Sequence, residues 1–424
     1  MKKRKNRIAA AIIAVAIAAV QIQTNTMLVE AAEAGFDDYG GAYAATKQIY
    51  GVGYTTEVYD ATNGLPTSDA MFILGARDGR VWIGGYSGVI RYDGTTFERM
   101  DTQNGLTSAR GFFQDSKDRV WVGTNDNGVV VLDGNERTWL TYKEGLPSSS
   151  IRIFSEDQNG NVFIGTTAGV CYADQDLKIH AVTGADFSDE RVLKLQADAT
   201  GKIYGQTSNG IIFTIENCQV TEQYTGELLG MEKISTIMVD PKQDGYVYIG
   251  TDNSIVYHGK FGDHAWQMEM IDTDQLKGIH WLEYSCNRVW VSSSTRLGYI
   301  DSNHDYHELE DIPLDSGIEM MTTDYQGNLW VASSTQGAMK IVTNNYTDLS
   351  SRSGLPAEVV NATCLHQGDL YIGTDNGLQI LGISSRLISN SLTEYLEGVR
   401  VRCIKEDLEG NLWIATYTGD MGLI

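Results

Sequence analysis

The chain has 424 residues, of which 42% are apolar, 45 are Gly and 5 are Pro, and its formal net charge is -23. That much negative charge excludes a nucleic-acid binder, whose affinity rests on Lys and Arg neutralising phosphates, and equally disfavours an anionic membrane surface. The five cysteines (Cys171, Cys218, Cys286, Cys364 and Cys403) are odd in number and show no paired spacing, which excludes a disulfide framework.

Lys2-Lys3-Arg4-Lys5 precedes an apolar run from Ile8 to Val20, too short for a comfortable membrane span. Ala32-Glu33-Ala34 has the small-x-small form of a cleavage site. Residues 1–34 therefore read as a signal peptide or, because Val20 lies far from Ala34, as an uncleaved N-terminal anchor. Either one exports the rest. Residues 35–63 read as a Gly- and Tyr-rich linker ending in an outer strand, Tyr54 to Ala61.

A repeat then begins. Val81-Trp82-Ile83-Gly84 returns as Val120-Trp121-Val122-Gly123 and Val162-Phe163-Ile164-Gly165, with weaker copies at Tyr204, Tyr248, Trp290, Trp330, Tyr371 and Trp413. The steps between these aromatics are 39, 42, 41, 44, 42, 40, 41 and 42 residues, the period of a four-stranded propeller blade. One unit predicts strands at Ala109–Gln114, Val120–Gly123, Val129–Leu132 and Thr138–Tyr142, with a hairpin turn at Asn125-Asp126-Asn127-Gly128. Gly64, Gly105, Gly145 and Gly354, each followed by Leu, open units with the positive φ that ends a strand. The aromatic stripe is expected to be inter-blade core, because a blade must bury both faces. Cys364 and Cys403 fall where other copies are apolar and are expected to be buried. Asp-containing turns recur at Asp157, Asp198, Asp324 and Asp407, but none has the ligand spacing of a calcium loop.

The fold class predicted is all-β, a propeller of four-stranded blades. Residues 64–350 are expected to form a seven-bladed ring whose last outer strand is Tyr346–Leu349. Residues 351–424 are expected to be the first two blades of a second, incomplete propeller. The ninth unit has no fourth strand, so the expectation is either that the chain is incomplete or that the outer strand Tyr54–Ala61 completes the ninth blade.

The pattern, which residues 145–171 and 401–416 match closely, resembles the two-component regulator propeller repeat. The blades at Tyr204, Tyr248 and Trp290 are degenerate, and the resemblance covers residues 54–424. It implies an extracytoplasmic sensor region of a bacterial signalling receptor, whose ligands are often oligosaccharides. It also implies a kinase, cyclase or phosphatase output module, and no kinase His box, cyclase motif or second apolar span occurs in this chain. A membrane tether through the N-terminus or through a missing C-terminal part, and a receptor homodimer, belong to the same implication.

No nucleophile elbow, zinc-protease helix, Walker loop or paired-cysteine motif occurs, so no catalytic residue and no cofactor is expected. His304 and His307 have a ligand spacing but sit in a polar run and read as solvated, so no metal site is expected. The candidate site comes from topology. Loops before the first strand and between the second and third emerge on one face of a ring. Near the first-strand starts an apolar residue is followed by a polar one: Ile151-Arg152, Ile234-Ser235, Ile279-His280, Ile318-Glu319, Val360-Asn361 and Val399-Arg400, with Met71 and Gly111 as exceptions. Tyr86, Arg110, Asn125, Asp126, Arg152, His280, Trp281 and Glu319 are the predicted ligand-binding residues. Their chemistry suits stacking and hydrogen bonding to a sugar. The net charge points to a neutral or cationic ligand, with Arg110 and Arg152 able to pair with a uronic acid. Two rivals remain: a propeller lyase, for which His280 alone has the position of a base, and a passive interaction scaffold.

Overall fold

The computed structural model describes residues 53–100, 105–274, 276–309, 312–344, 353–356, 358–382 and 386–417. The leader and the Tyr346–Leu349 strand lie outside these. Among the described residues no helix is long and apolar enough to cross a membrane. The chain divides into two compact units, Thr55–Thr343 and a second comprising Met1–Tyr54 with Asn344–Ile424.

The first unit is built of seven four-stranded antiparallel sheets. Six are simple meanders, each running outward from an inner strand. The second blade shows the pattern: Ala109–Gln114, Val120–Thr124, Val129–Asp133 and Glu136–Leu140. The inner strand of each sheet packs on that of the next, and Phe72–Gly75 packs on Ile318–Thr323, which closes the cycle.

The seventh sheet differs from expectation. Its outer strand is Gly53–Tyr59, paired to Gly337–Asn344, so the strand assigned to the ninth blade instead joins the start of the chain to the last blade of the ring. Tyr59 stacks on Trp330 with ring centroids 5.6 Å apart. An outer strand contributed from the other end of the chain ties the last blade to the first, because it is paired to Gly337–Asn344 while the chain runs on from Tyr59 into the first blade.

Two features of the repeat explain the packing. In all seven blades the second-strand aromatic is buried: Trp82, Trp121, Phe163, Tyr204, Tyr248, Trp290 and Trp330. In four blades the residue two later is a glycine (Gly84, Gly123, Gly165 and Gly250), and the next blade seats there. A Cβ on Gly123 would lie 2.6 Å from Ile151, and one on Gly165 2.6 Å from Ile153 and 3.0 Å from Val192. Gly64, Gly105 and Gly145 have positive φ, and the leucines after them, Leu65, Leu106 and Leu146, are buried.

The Asp turns have a role the sequence reading missed. Asp115 Oδ1 accepts from the backbone amides of Lys117 and Arg119, while Oδ2 accepts from the Trp121 indole at 2.8 Å. Asp324 holds Trp330, and Asp407 holds Trp413, at the same distance.

The second unit contains a three-stranded sheet (Val360–His366, Asp369–Thr374, Leu378–Leu381) and a two-stranded one (Arg400–Glu406, Leu412–Tyr417). Here the core expectation fails for particular residues. Cys403 is exposed, Cys364 is only partly buried, and Trp413 is 47% exposed. Burial of the stripe requires a following blade, and among the described residues none covers this face.

Candidate functional site

Five of the seven inner strands of the ring begin with a β-bulge. In the second blade the register shifts between Ala109 and Gly111, in the third between Ile151 and Ile153, and in the seventh between Ile318 and Met320. The residue inside each shift is the polar one: Arg110, Arg152 and Glu319. A bulge leaves one residue unpaired and re-aims it, here at the mouth of the ring. The equivalent positions in the fourth and fifth blades are Leu193 and Ser235. Matching Ser292 to Gly165 puts His280 there in the sixth blade, and Gly84 puts Met71 there in the first.

This register corrects two assignments. Arg110, not Gly111, occupies the mouth position of the second blade. In the ninth, the bulge lies between Val401 and Cys403, so Arg402 takes the place expected for Arg400. Arg400 instead pairs with Asp375 at 2.7 Å.

The loops between second and third strands close onto the same face. Asn125 N–H donates to Ser108 C=O, Thr167 to Ser150, and Ser208 to Arg191. Tyr86 N–H donates to Asp69 Oδ2. Tyr86 and Asn125 thus stand beside the bulged arginines of the adjoining blades.

Two groups result. In the first, Arg110 Nη2 donates to Tyr86 Oη at 2.5 Å, with its guanidinium 4.8 Å from the Tyr86 ring centroid. Arg152 Nη1 donates to Asn125 Oδ1 at 3.2 Å, Ser150 Oγ donates to the same oxygen at 3.0 Å, and Asn125 Nδ2 donates to Asp126 Oδ1. Tyr86 is 62% exposed. Burial, and then the like charges of Arg110 and Arg191, push the Arg152 guanidinium below its usual value. Three arginines from adjacent blades therefore repel one another, and among the described residues none of them has a carboxylate partner. In so acidic a chain this is a local reversal of charge. Arg191 was not singled out from sequence; its signal is its place two residues before the bulge position.

The second group lines the central cavity, about 390 Å³ bounded by the inner strands of all seven blades. Trp281 belongs here and not on the mouth loops: it occupies the position of Ile153, and its ring meets Phe72 with centroids 6.0 Å apart. Lys194, equivalent to Ile153 in the fourth blade, is buried with its ammonium over the Trp281 ring. Burial pushes its pKa down, partly opposed by Glu283. Glu283 is half-buried by surface but enclosed by the cavity wall. Burial pushes its carboxyl up to about 7, against the pull of Lys194. Burial first, then Lys194, lowers the His280 pKa, with Glu319 acting the other way. Lys194 and Glu283 were missed because a single charge in an alternating strand looks like an outward-facing residue.

No protein-family model matches the sequence, and no curated protein matches it. Solved structures do match in fold. The extracellular domain of a B. thetaiotaomicron protein described as a hybrid two-component system aligns at a TM-score of 0.64 and 16% identity, over 88% of this chain and 54% of that one. Virginiamycin B lyase from Staphylococcus aureus aligns at 0.54 and 15%, over 68% and 99%. YCF48, solved with a D1 peptide, aligns at 0.54 and 16%, over 69% and 97%. The chain thus spans about half the length of the first of these structures. The extracellular domain of a two-component system, a lyase and a peptide-bound protein share the architecture, so the likeness shows the fold and function has to be argued from the site. The chain is an all-β protein built on a β-propeller of four-stranded blades.

Proposed function

We propose that this chain is the exported, ligand-sensing propeller region of a bacterial signalling receptor, and that its ligand is an oligosaccharide bearing an acidic sugar. The observation that carries this reading is the set Arg110, Arg152 and Arg191, with no carboxylate partner among the described residues, beside the exposed ring of Tyr86. Guanidinium groups bind carboxylates bidentately, and an aromatic face stacks on a sugar ring. The net charge alone points to neutral or cationic ligands. Three adjacent cations without a counter-ion among the described residues favour a ligand that brings its own negative charge. The B. thetaiotaomicron structure adds support at the level of fold, and the output module would lie outside this chain.

The test is calorimetric titration with uronate-containing plant and host oligosaccharides and with the same sugars after carboxyl reduction. Binding of the acidic form alone supports the proposal; equal binding of both forms contradicts the role given to the arginines.

One observation favours the lyase alternative. Burial, and then Lys194, lower the His280 pKa and so favour the neutral imidazole, the form a general base needs. Cleavage of a bound glycan, abolished by His280→Ala, would replace the sensor reading.

A further inference from the structure

The junction of the fifth and sixth blades brings together three side chains that the proposed ligand site does not use. His258 lies on the third strand of the fifth blade, Ile255–Lys260. Glu269 is its register partner on the fourth strand, Glu269–Asp272. His304 comes from the sixth blade, in the turn between Leu297–Ile300 and Tyr306–Glu308, held at φ 62°. One donor atom from each lies within 4.8 Å of the other two. We propose that this junction binds a divalent transition metal, with zinc as the type ion.

The chemistry of the donor set fixes the class. Two imidazoles and one carboxylate suit zinc, nickel, cobalt or copper, whereas calcium and magnesium require oxygen donors throughout. Three protein ligands leave one tetrahedral position for water.

The surroundings are those of a ligating histidine. His258 and Asp240 are both buried, and Asp240 Oδ2 lies 2.9 Å from His258 Nε2. A carboxylate on one ring nitrogen orients the imidazole and raises the basicity of the other, the usual outer support of a metal-bound histidine. Tyr248 stacks on the His258 ring at 4.2 Å and fixes its plane. The His304 ring stands 5.0 Å from that of His258 at 70°, and His304 Nδ1 lies 2.6 Å from Glu269 Oε2. The ion would take the place of the proton shared by His304 and Glu269.

The repeat accounts for part of this arrangement and leaves the rest. Elsewhere the turn aspartate accepts from a tryptophan indole, as Asp115 does from Trp121. In the fifth blade that aromatic is Tyr248, so Asp240 turns to His258. Nothing in the repeat calls for His304 and Glu269 to converge on the same imidazole. The expected spacing partner, His307, is engaged elsewhere, 3.0 Å from Asp301. Zinc–ligand bonds of about 2.0–2.2 Å need the donors about 3.3–3.6 Å apart in a tetrahedron. His304 and Glu269 are the partly exposed members of the set and have the freedom to close that gap. A bound ion would clip the fifth blade to the sixth.

The experiment is titration of the full chain, stripped with chelator, with zinc chloride, followed by calorimetry and by thermal melting. One equivalent of zinc should bind and raise the melting temperature, while calcium should do neither. His304→Ala and Glu269→Gln change partly exposed residues and should each weaken zinc binding at least about tenfold. Folding of both variants is checked by an unchanged melt of the metal-free protein. Uptake of zinc by His304→Ala with unchanged affinity, or no stoichiometric uptake by the parent chain, would overturn the proposal.

Discussion

Trp121 shows what a single repeat position does. Its side chain is fully buried against the neighbouring blade, and its indole N–H is satisfied by Asp115, which also receives the Arg119 guanidinium at 2.6 Å. Replacing it by Ala removes a large aromatic from a packed interior and leaves a cavity, so Trp121→Ala should lower stability by about 3–5 kcal/mol in chemical denaturation. A loss under about 1 kcal/mol would mean that the residue does not pack between blades. The stripe was legible because its spacing repeats. The aspartate partners were not, since an Asp six residues before a Trp reads first as a turn former. Cys403 was misread for a related reason: position within the repeat predicts burial only where another blade follows.

At the scale of the strand, the innermost edge carries the information. The second-strand glycine and the next blade's first strand meet too closely for a side chain, so blade spacing is set by Gly84, Gly123 and Gly165. Gly165→Ala would push a methyl into Ile153 and Val192 and should destabilise the ring by about 1–3 kcal/mol, the range for an overpacked core. An unchanged denaturation midpoint would contradict the seating. The bulge beside that contact explains why Arg110, Arg152, His280 and Glu319 could be chosen from alternation while Gly111 and Arg400 were misplaced. Alternation counts residues in steps of two, and a bulge adds one.

The same strands place Glu283 in the cavity, with a pH dependence of definite sign. Its folded pKa of about 7 exceeds the ordinary glutamate value of about 4.3. Between those values the folded protein holds a proton that the unfolded chain has released. The group's contribution is therefore full below about pH 4.3 and is lost as the pH rises through about 7. Glu283→Gln cannot ionise, so its stability relative to the parent should grow across that interval in denaturant titrations at successive pH. A difference independent of pH would show that Glu283 ionises freely.

For the whole molecule, net charge and local charge point in opposite directions. The chain carries -23, yet one quadrant of the ring mouth gathers Arg110, Arg152 and Arg191 with no carboxylate partner among the described residues. The propeller could be read from a period of about forty residues and from hairpin turns, because those are local. The closure of the seventh blade by Gly53–Tyr59 could not, because strand exchange between chain ends leaves no local mark. The junction of His258, Glu269 and His304 was likewise hidden, since its members are brought together only by blade packing.

The central claim is that the arginine quadrant with Tyr86 recognises an acidic sugar. Calorimetric titration of a uronate-containing oligosaccharide against the parent chain and the variant Tyr86→Ala with Arg152→Ala tests it most directly. A charge-assisted hydrogen bond contributes about 1.5–3 kcal/mol, and each 1.4 kcal/mol is tenfold in affinity. The variant should therefore bind at least about tenfold more weakly while keeping the parent's melting temperature, because neither residue belongs to the buried aromatic stripe. A folded variant that binds the same ligand with undiminished affinity would contradict the account.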